Sequence, residues 1–155
     1  MVDKQMRTLM IITLAMMFSG CVYFGALFAF PGEAQGVEPA LGMALILASV
    51  GSVVGMLFMR RSMLGGLALL PPRRMDTGMR LSPEAFQQAL KAALGRYTTA
   101  TIVSCAFAES IMLYGFVIGY LSQAPLRMVP FLLAGELLMV MVFPRRAVLD
   151  GLVQQ

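Results

Sequence analysis

The chain has 155 residues, 59% hydrophobic and 13% charged, with a mean hydropathy of +0.79. A soluble domain of this size needs far more polar surface than these residues supply, and so apolar a chain is not disordered. Two cysteines exclude a disulfide scaffold, the absence of histidine excludes imidazole chemistry, and long apolar runs between the basic residues exclude a nucleic-acid domain. The composition is that of an integral membrane protein.

A bilayer core of about 30 Å takes some 20 apolar residues in helix. The first run that qualifies is Leu9–Phe30, which contains no charge. Lys4, Arg7, the apolar run and then Phe18-Ser19-Gly20-Cys21 resemble a lipoprotein signal ending in a lipidated cysteine. The run continues to Phe30, however, whereas a cleaved signal has an apolar region of roughly 7–15 residues. An uncleaved first span is therefore expected. The second run, Leu41–Met59, closes on Arg60-Arg61, with helix extending at most to Leu70 before Pro71-Pro72. The third is Thr99–Leu121, and the fourth, Met128–Phe143, is stopped by Pro144-Arg145-Arg146. The runs are continuous rather than alternating, which selects helices over a barrel.

Basic residues orient these spans. Lys4 and Arg7 lie in the N-terminal tail; Arg60, Arg61, Arg73, Arg74, Arg80, Lys91 and Arg96 lie in the central loop; Arg145 and Arg146 lie in the C-terminal tail. Only Arg127 lies on the other side. Both termini and the central loop are thus expected in the cytoplasm of an inner (plasma) membrane, facing anionic headgroups. Within the central loop, Ser82-Pro83-Glu84 is a helix start, with a hydroxyl cap, proline in the first turn and an acid near the positive dipole end. Phe86, Ala89, Leu90, Ala93 and Leu94 follow at helical spacing, predicting an amphipathic interfacial helix to about Gly95.

The halves of the chain also match each other. Phe58-Met59-Arg60-Arg61-Ser62-Met63-Leu64-Gly65-Gly66-Leu67 aligns with Phe143-Pro144-Arg145-Arg146-Ala147-Val148-Leu149-Asp150-Gly151-Leu152, and Phe24-Gly25 with Tyr114-Gly115. The expected fold class is an all-α membrane protein: four transmembrane helices as two tandem, parallel-repeated hairpins, plus the cytoplasmic interfacial helix. The boundaries expected for this single membrane domain are 9–67, a loop over 68–98, and 99–152.

Two acids lie inside the spans, Glu109 and Glu136. An ionised acid at that depth costs about 2.5–3.5 kcal/mol on insertion scales, so each calls for a role. A carboxyl that can trade a proton is an ion carrier; one that cannot is polar glue between helices. Gly51 and Gly55, and Gly115 and Gly119, form small-xxx-small frames for close helix packing. If the second and third helices are neighbours, Gly51 is expected opposite Glu109. Cys21 and Cys105 read as small core residues. No nucleophile–base pair, metal cluster or phosphate loop stands out, so no catalytic residue, metal or cofactor is expected.

Phe107-Ala108-Glu109-Ser110-Ile111-Met112-Leu113-Tyr114-Gly115-Phe116-Val117-Ile118-Gly119 resembles the carboxylate helix of the c subunit (proteolipid) of rotary ATPases, with its small-Glu-x4-Tyr-Gly-hydrophobic-Val pattern. The turn Arg80-Leu81-Ser82-Pro83-Glu84 is similar to that family's basic-x-Pro-acid loop, with one residue more before the proline. The resemblance implies that Glu109 is an ion-binding carboxylate and the chain a protomer of a rotor ring. The residues themselves leave three readings open: an accessory subunit packing among other integral membrane subunits, a homo-oligomeric ion carrier, or a small dimeric transporter. Its partners are expected to be the lipid bilayer and these subunits or copies, with no nucleic acid.

Overall fold

The computed structural model describes residues 2–30, 36–65 and 82–144. Four α-helices follow one another: α1 Val2–Ala29, α2 Pro39–Gly65, α3 Pro83–Ser122 and α4 Val129–Val142, the last preceded by a 3₁₀ turn at Pro125–Met128. No strand occurs among the described residues. Four segments, Lys4–Ala29, Pro39–Leu64, Leu90–Ser122 and Pro125–Val142, are long and apolar enough to cross a membrane.

The ends of the helices follow from local chemistry. α1 runs until the residue before Pro31 restricts the backbone. α2 opens with Pro39 in its first turn, where a missing N–H costs nothing, and the amide of Gly42 donates to the Glu38 carbonyl at 3.0 Å. It continues past Met59 to Gly65; the expected stop at Pro71-Pro72 lies outside the described residues. The loop 68–98 is accordingly described only from Ser82 onward, and Arg145, Arg146 and the rest of the C-terminal tail also fall outside.

α3 begins at Pro83, where the sequence predicts a helix, but the amphipathic stretch is not a separate interfacial helix. It passes through Gly95 without a break into the third span, forming one helix of 40 residues. At 1.5 Å per residue this helix is about 60 Å long, twice the thickness of a bilayer core. The reason is tertiary. Ala93, Leu94 and Tyr97 are buried against Met6 and Leu9 of α1, with Leu64 of α2 and Leu90 beside them. Burying those side chains on the ends of α1 and α2 replaces the burial that lying on the headgroups would give.

A Schellman motif turns the chain between α3 and α4. The Ala124 amide donates to the Gly119 carbonyl and the Gln123 amide to the Tyr120 carbonyl, both at 3.2 Å, with Gln123 at φ +49°. The 3₁₀ turn then compensates for the shortness of α4. Four residues at about 2.0 Å and fourteen at 1.5 Å give roughly 29 Å, close to the hydrocarbon thickness.

α3 is the hub of the bundle. α1, α2 and α4 all pack on it, α1 also meets α4, and α1 and α2 barely touch among the described residues. The two sequence halves therefore pack differently, for α3 and α4 form a close hairpin and α1 and α2 do not. The buried pattern explains this. On α1 a single seam of Met6, Leu9, Thr13, Gly20 and Leu27 is buried, and it is spent on α3 and α4. On α3 the buried stripe is wide and rich in small side chains, including Ala93, Ala100, Ser104, Cys105, Ala108 and Gly115, so several helices approach it closely. Hydroxyls inside the spans bond back to the preceding turn, as Thr13 does to the Leu9 carbonyl at 2.9 Å and Ser104 to the Ala100 carbonyl at 2.7 Å.

Candidate functional site

The two intramembrane acids converge on one face of α1. The Tyr23 hydroxyl donates to Glu109 Oε1 at 2.9 Å, linking α1 to α3. One turn away on α1, Gly20 leaves room for the other acid: a Cβ there would lie 2.9 Å from Glu136 Oε1 and 2.9 Å from Met112 Sδ. Positions 20 and 23 are three residues apart and share a helix face, so each carboxyl finds its place on the same surface. Glu109 and Glu136 are both half-buried. They are not equivalent, because Glu109 holds a hydrogen bond within the chain and Glu136 holds none among the described residues.

Aromatic packing fixes the Tyr23 phenol. Its ring lies 5.8 Å from that of Phe116 at a tilt of 45°, and Phe116 stacks on Tyr120 with centroids 6.0 Å apart. Tyr23 also packs beside the buried trio Ala108, Met112 and Met139. Such offset and tilted ring pairs add to area burial and limit the rotation of the phenol away from Glu109. Tyr23 was not legible as a site residue. The one signal was its place on the same helical column as Leu9 and Met16, at seven-residue steps.

The glycines divide. Gly115 faces Phe131 of α4, with the Met128 carbonyl oxygen 3.3 Å from where a Cβ would stand, and Gly119 meets Leu27 of α1 at 3.0 Å and Met128 Cβ at 3.4 Å. A Cβ at Gly55 would stand 3.4 Å from the Phe107 ring. Gly51 meets nothing within 4 Å and is exposed. It is not opposite Glu109: α2 and α3 are neighbours, but α2 turns Ser49, Ser52 and Met56 inward and Gly51 away. The glycine opposite a carboxyl is Gly20, and the carboxyl is that of Glu136. Gly135, on the α3–α4 seam, is a further packing glycine, since a Cβ there would run into Met112 and the Ala108 carbonyl oxygen.

The cysteines divide as well. Cys105 is buried, its sulfur 4.0 Å from the Thr13 hydroxyl, whereas Cys21 lies on the exposed face of α1 and is not a core residue. Among the described residues no three His, Cys, Asp or Glu side chains gather where a metal could be held. The arrangement is a carboxyl held by a phenol across a helix interface, and a second, half-buried carboxyl over Gly20 that makes no hydrogen bond among the described residues. No family model, curated protein or solved structure matches the chain.

Proposed function

We propose that this chain is a small non-catalytic subunit that packs within a larger membrane complex, seated in the inner (plasma) membrane with both termini in the cytoplasm. The orientation rests on the basic residues, of which only Arg127 belongs to the opposite side. The membrane reading rests on the four long apolar helices.

The observation that carries the subunit reading is the different situation of the two acids. Glu109 is satisfied by Tyr23 inside the chain. Glu136 accepts no hydrogen bond among the described residues and stands at the edge of the α4 interface, between the buried Met139 and the exposed Leu133 and Val140. An unsatisfied polar group in hydrocarbon is costly, and a hydrogen-bond donor on a neighbouring subunit's helix would relieve that cost. Glu109 then serves as an internal packing group and Glu136 as the contact to the partner.

Extraction in a mild detergent followed by native mass measurement tests this. The expected result is a complex with other integral membrane subunits that weakens in Glu136→Leu. A monodisperse, partner-free chain would overturn it. A second reading, an ion-carrying subunit of the rotary type, is favoured by the Phe107–Gly119 pattern and by the partial exposure of Glu109. It predicts a closed homo-oligomeric ring and labelling of Glu109 by a hydrophobic carbodiimide, blocked by protons or sodium. A monomer with an unreactive Glu109 rules it out.

A further inference from the structure

A cleft of about 220 Å³ opens between the start of α1 and α3, lined by Lys4, Gln5, Thr8, Leu9, Ile12 and Thr98. It is distant from both glutamates, and neither the packing nor the proposed subunit contact uses it. Its lining is graded. Five of these residues come from one face of α1, and over eight residues, about 12 Å of helix, they pass from an ammonium through an amide and a hydroxyl to two aliphatic side chains. Thr98 adds a second hydroxyl from α3, and its side chain makes no hydrogen bond among the described residues. Lys4 is exposed, and no acid is among the described residues that line the cleft. Beside it the two helices are joined by the buried cluster of Met6, Leu9, Ala93, Leu94 and Tyr97.

We propose that this cleft binds the phosphate headgroup of an anionic membrane phospholipid. Lys4 and the Thr98 hydroxyl face the phosphate and Gln5 the glycerol oxygens, the Thr8 hydroxyl stays on the Lys4 carbonyl at 3.0 Å, and the first acyl methylenes run down over Leu9 and Ile12. The volume is that of about seven liquid waters, enough for a headgroup and no more than the top of one chain. The order of the lining, charge first and aliphatic surface last, is the order of groups along the lipid itself. A lysine near a membrane surface is attracted to anionic headgroups, and the mainly apolar remainder of the lining suits the start of an acyl chain. The orientation proposed above decides only which leaflet supplies the lipid; the chemistry of the cleft is the same for either.

The test is native mass spectrometry of the full chain from detergent, titrated with phosphatidylglycerol and, separately, with phosphatidylcholine of the same chains. The parent is expected to retain the anionic lipid preferentially. Lys4→Gln is expected to reduce that retention about five-fold, the contribution of one basic residue at an anionic surface, and Thr98→Val to reduce it further. Arg61→Gln removes an exposed charge outside the cleft and is expected to leave retention unchanged. Equal losses in Lys4→Gln and Arg61→Gln would mean diffuse charge attraction and overturn the site. Competition by inorganic phosphate at concentrations equal to the lipid would overturn the lipid as the source of the phosphate.

Discussion

Gly135→Ala tests the packing from which both acids take their positions. A Cβ at residue 135 would stand 2.9 Å from the Ala108 carbonyl oxygen and 3.2 Å from Met112 Sδ, with Met112 Cγ closer still. The methionine can rotate away, but a carbonyl inside a continuous helix cannot. Ordinary contact begins near 3.4 Å, so α4 must retreat by about 0.5 Å. A gap of that size forfeits roughly a quarter of the attraction of each atom pair across the seam. Each pair is worth only about 0.1–0.2 kcal/mol, but Met128, Met139 and Val142 lie on that seam fully buried and lose contacts together. The loss is expected to be about 1–3 kcal/mol, the usual range for overpacking.

Cys105 supplies the assay. It is 1% exposed, clustered with Met56 of α2 and Val142 of α4, and within 4.0 Å of the Thr13 hydroxyl of α1, so a thiol reagent reaches it only when helices part. With the exposed Cys21 replaced by serine, the Gly135→Ala variant is expected to label at Cys105 about 5 to 150 times faster, at a factor of ten per 1.4 kcal/mol. Gly51→Ala, where a Cβ meets nothing within 4 Å, is expected to stay within about two-fold of the parent. Equal rates for the two alanine variants would refute the close approach of α3 and α4 and the argument built on it.

Three further outcomes are expected. A double-mutant cycle of Tyr23→Phe and Glu109→Ala, read by the same Cys105 labelling, should give a coupling of about 0.6–1.7 kcal/mol, the range for interhelical hydrogen bonds in membranes; additive effects would mean that the 2.9 Å bond does not hold the helices. Gln123, at φ +49°, should accept glycine with no loss of stability but lose 1 kcal/mol or more as valine, because a β-branched side chain is strained there. Leu94→Ala should cost about 2–5 kcal/mol and increase proteolysis near Lys4 and Arg7, since Leu94 is buried against Met6 and Leu9; an unchanged cleavage pattern would show that the extension of α3 does not hold the start of α1.

The number and type of the long apolar helices were legible because lipid leaves backbone groups no partner, so a continuous apolar run of sufficient length has to be helical wherever it packs. The start of α3 at Pro83 was legible for a related reason, since it depends on backbone restrictions within a few residues. The two acids stood out because charge inside a span is costly.

What only the tertiary structure decided is which surfaces meet. In lipid an outward leucine and an inward leucine are equally comfortable, so hydropathy does not mark the buried face of a span, and contact is set by small residues and polar pairs. That is why Gly51, in a small-xxx-small frame, faces open space while Gly20 and Gly135, outside the frames, meet Glu136 and Met112. It is also why Tyr23 takes Glu109 across 86 residues of sequence. The amphipathic stretch before Gly95 could be read locally as an interfacial helix, yet its Ala93 and Leu94 are buried with Met6 and Leu9 and the helix runs on unbroken, which makes it the first part of α3. The sequence by itself determined a four-helix membrane protein with two intramembrane acids. Packing decided that Glu109 is hydrogen-bonded to Tyr23 within the chain while Glu136 lies over Gly20 with no hydrogen bond among the described residues.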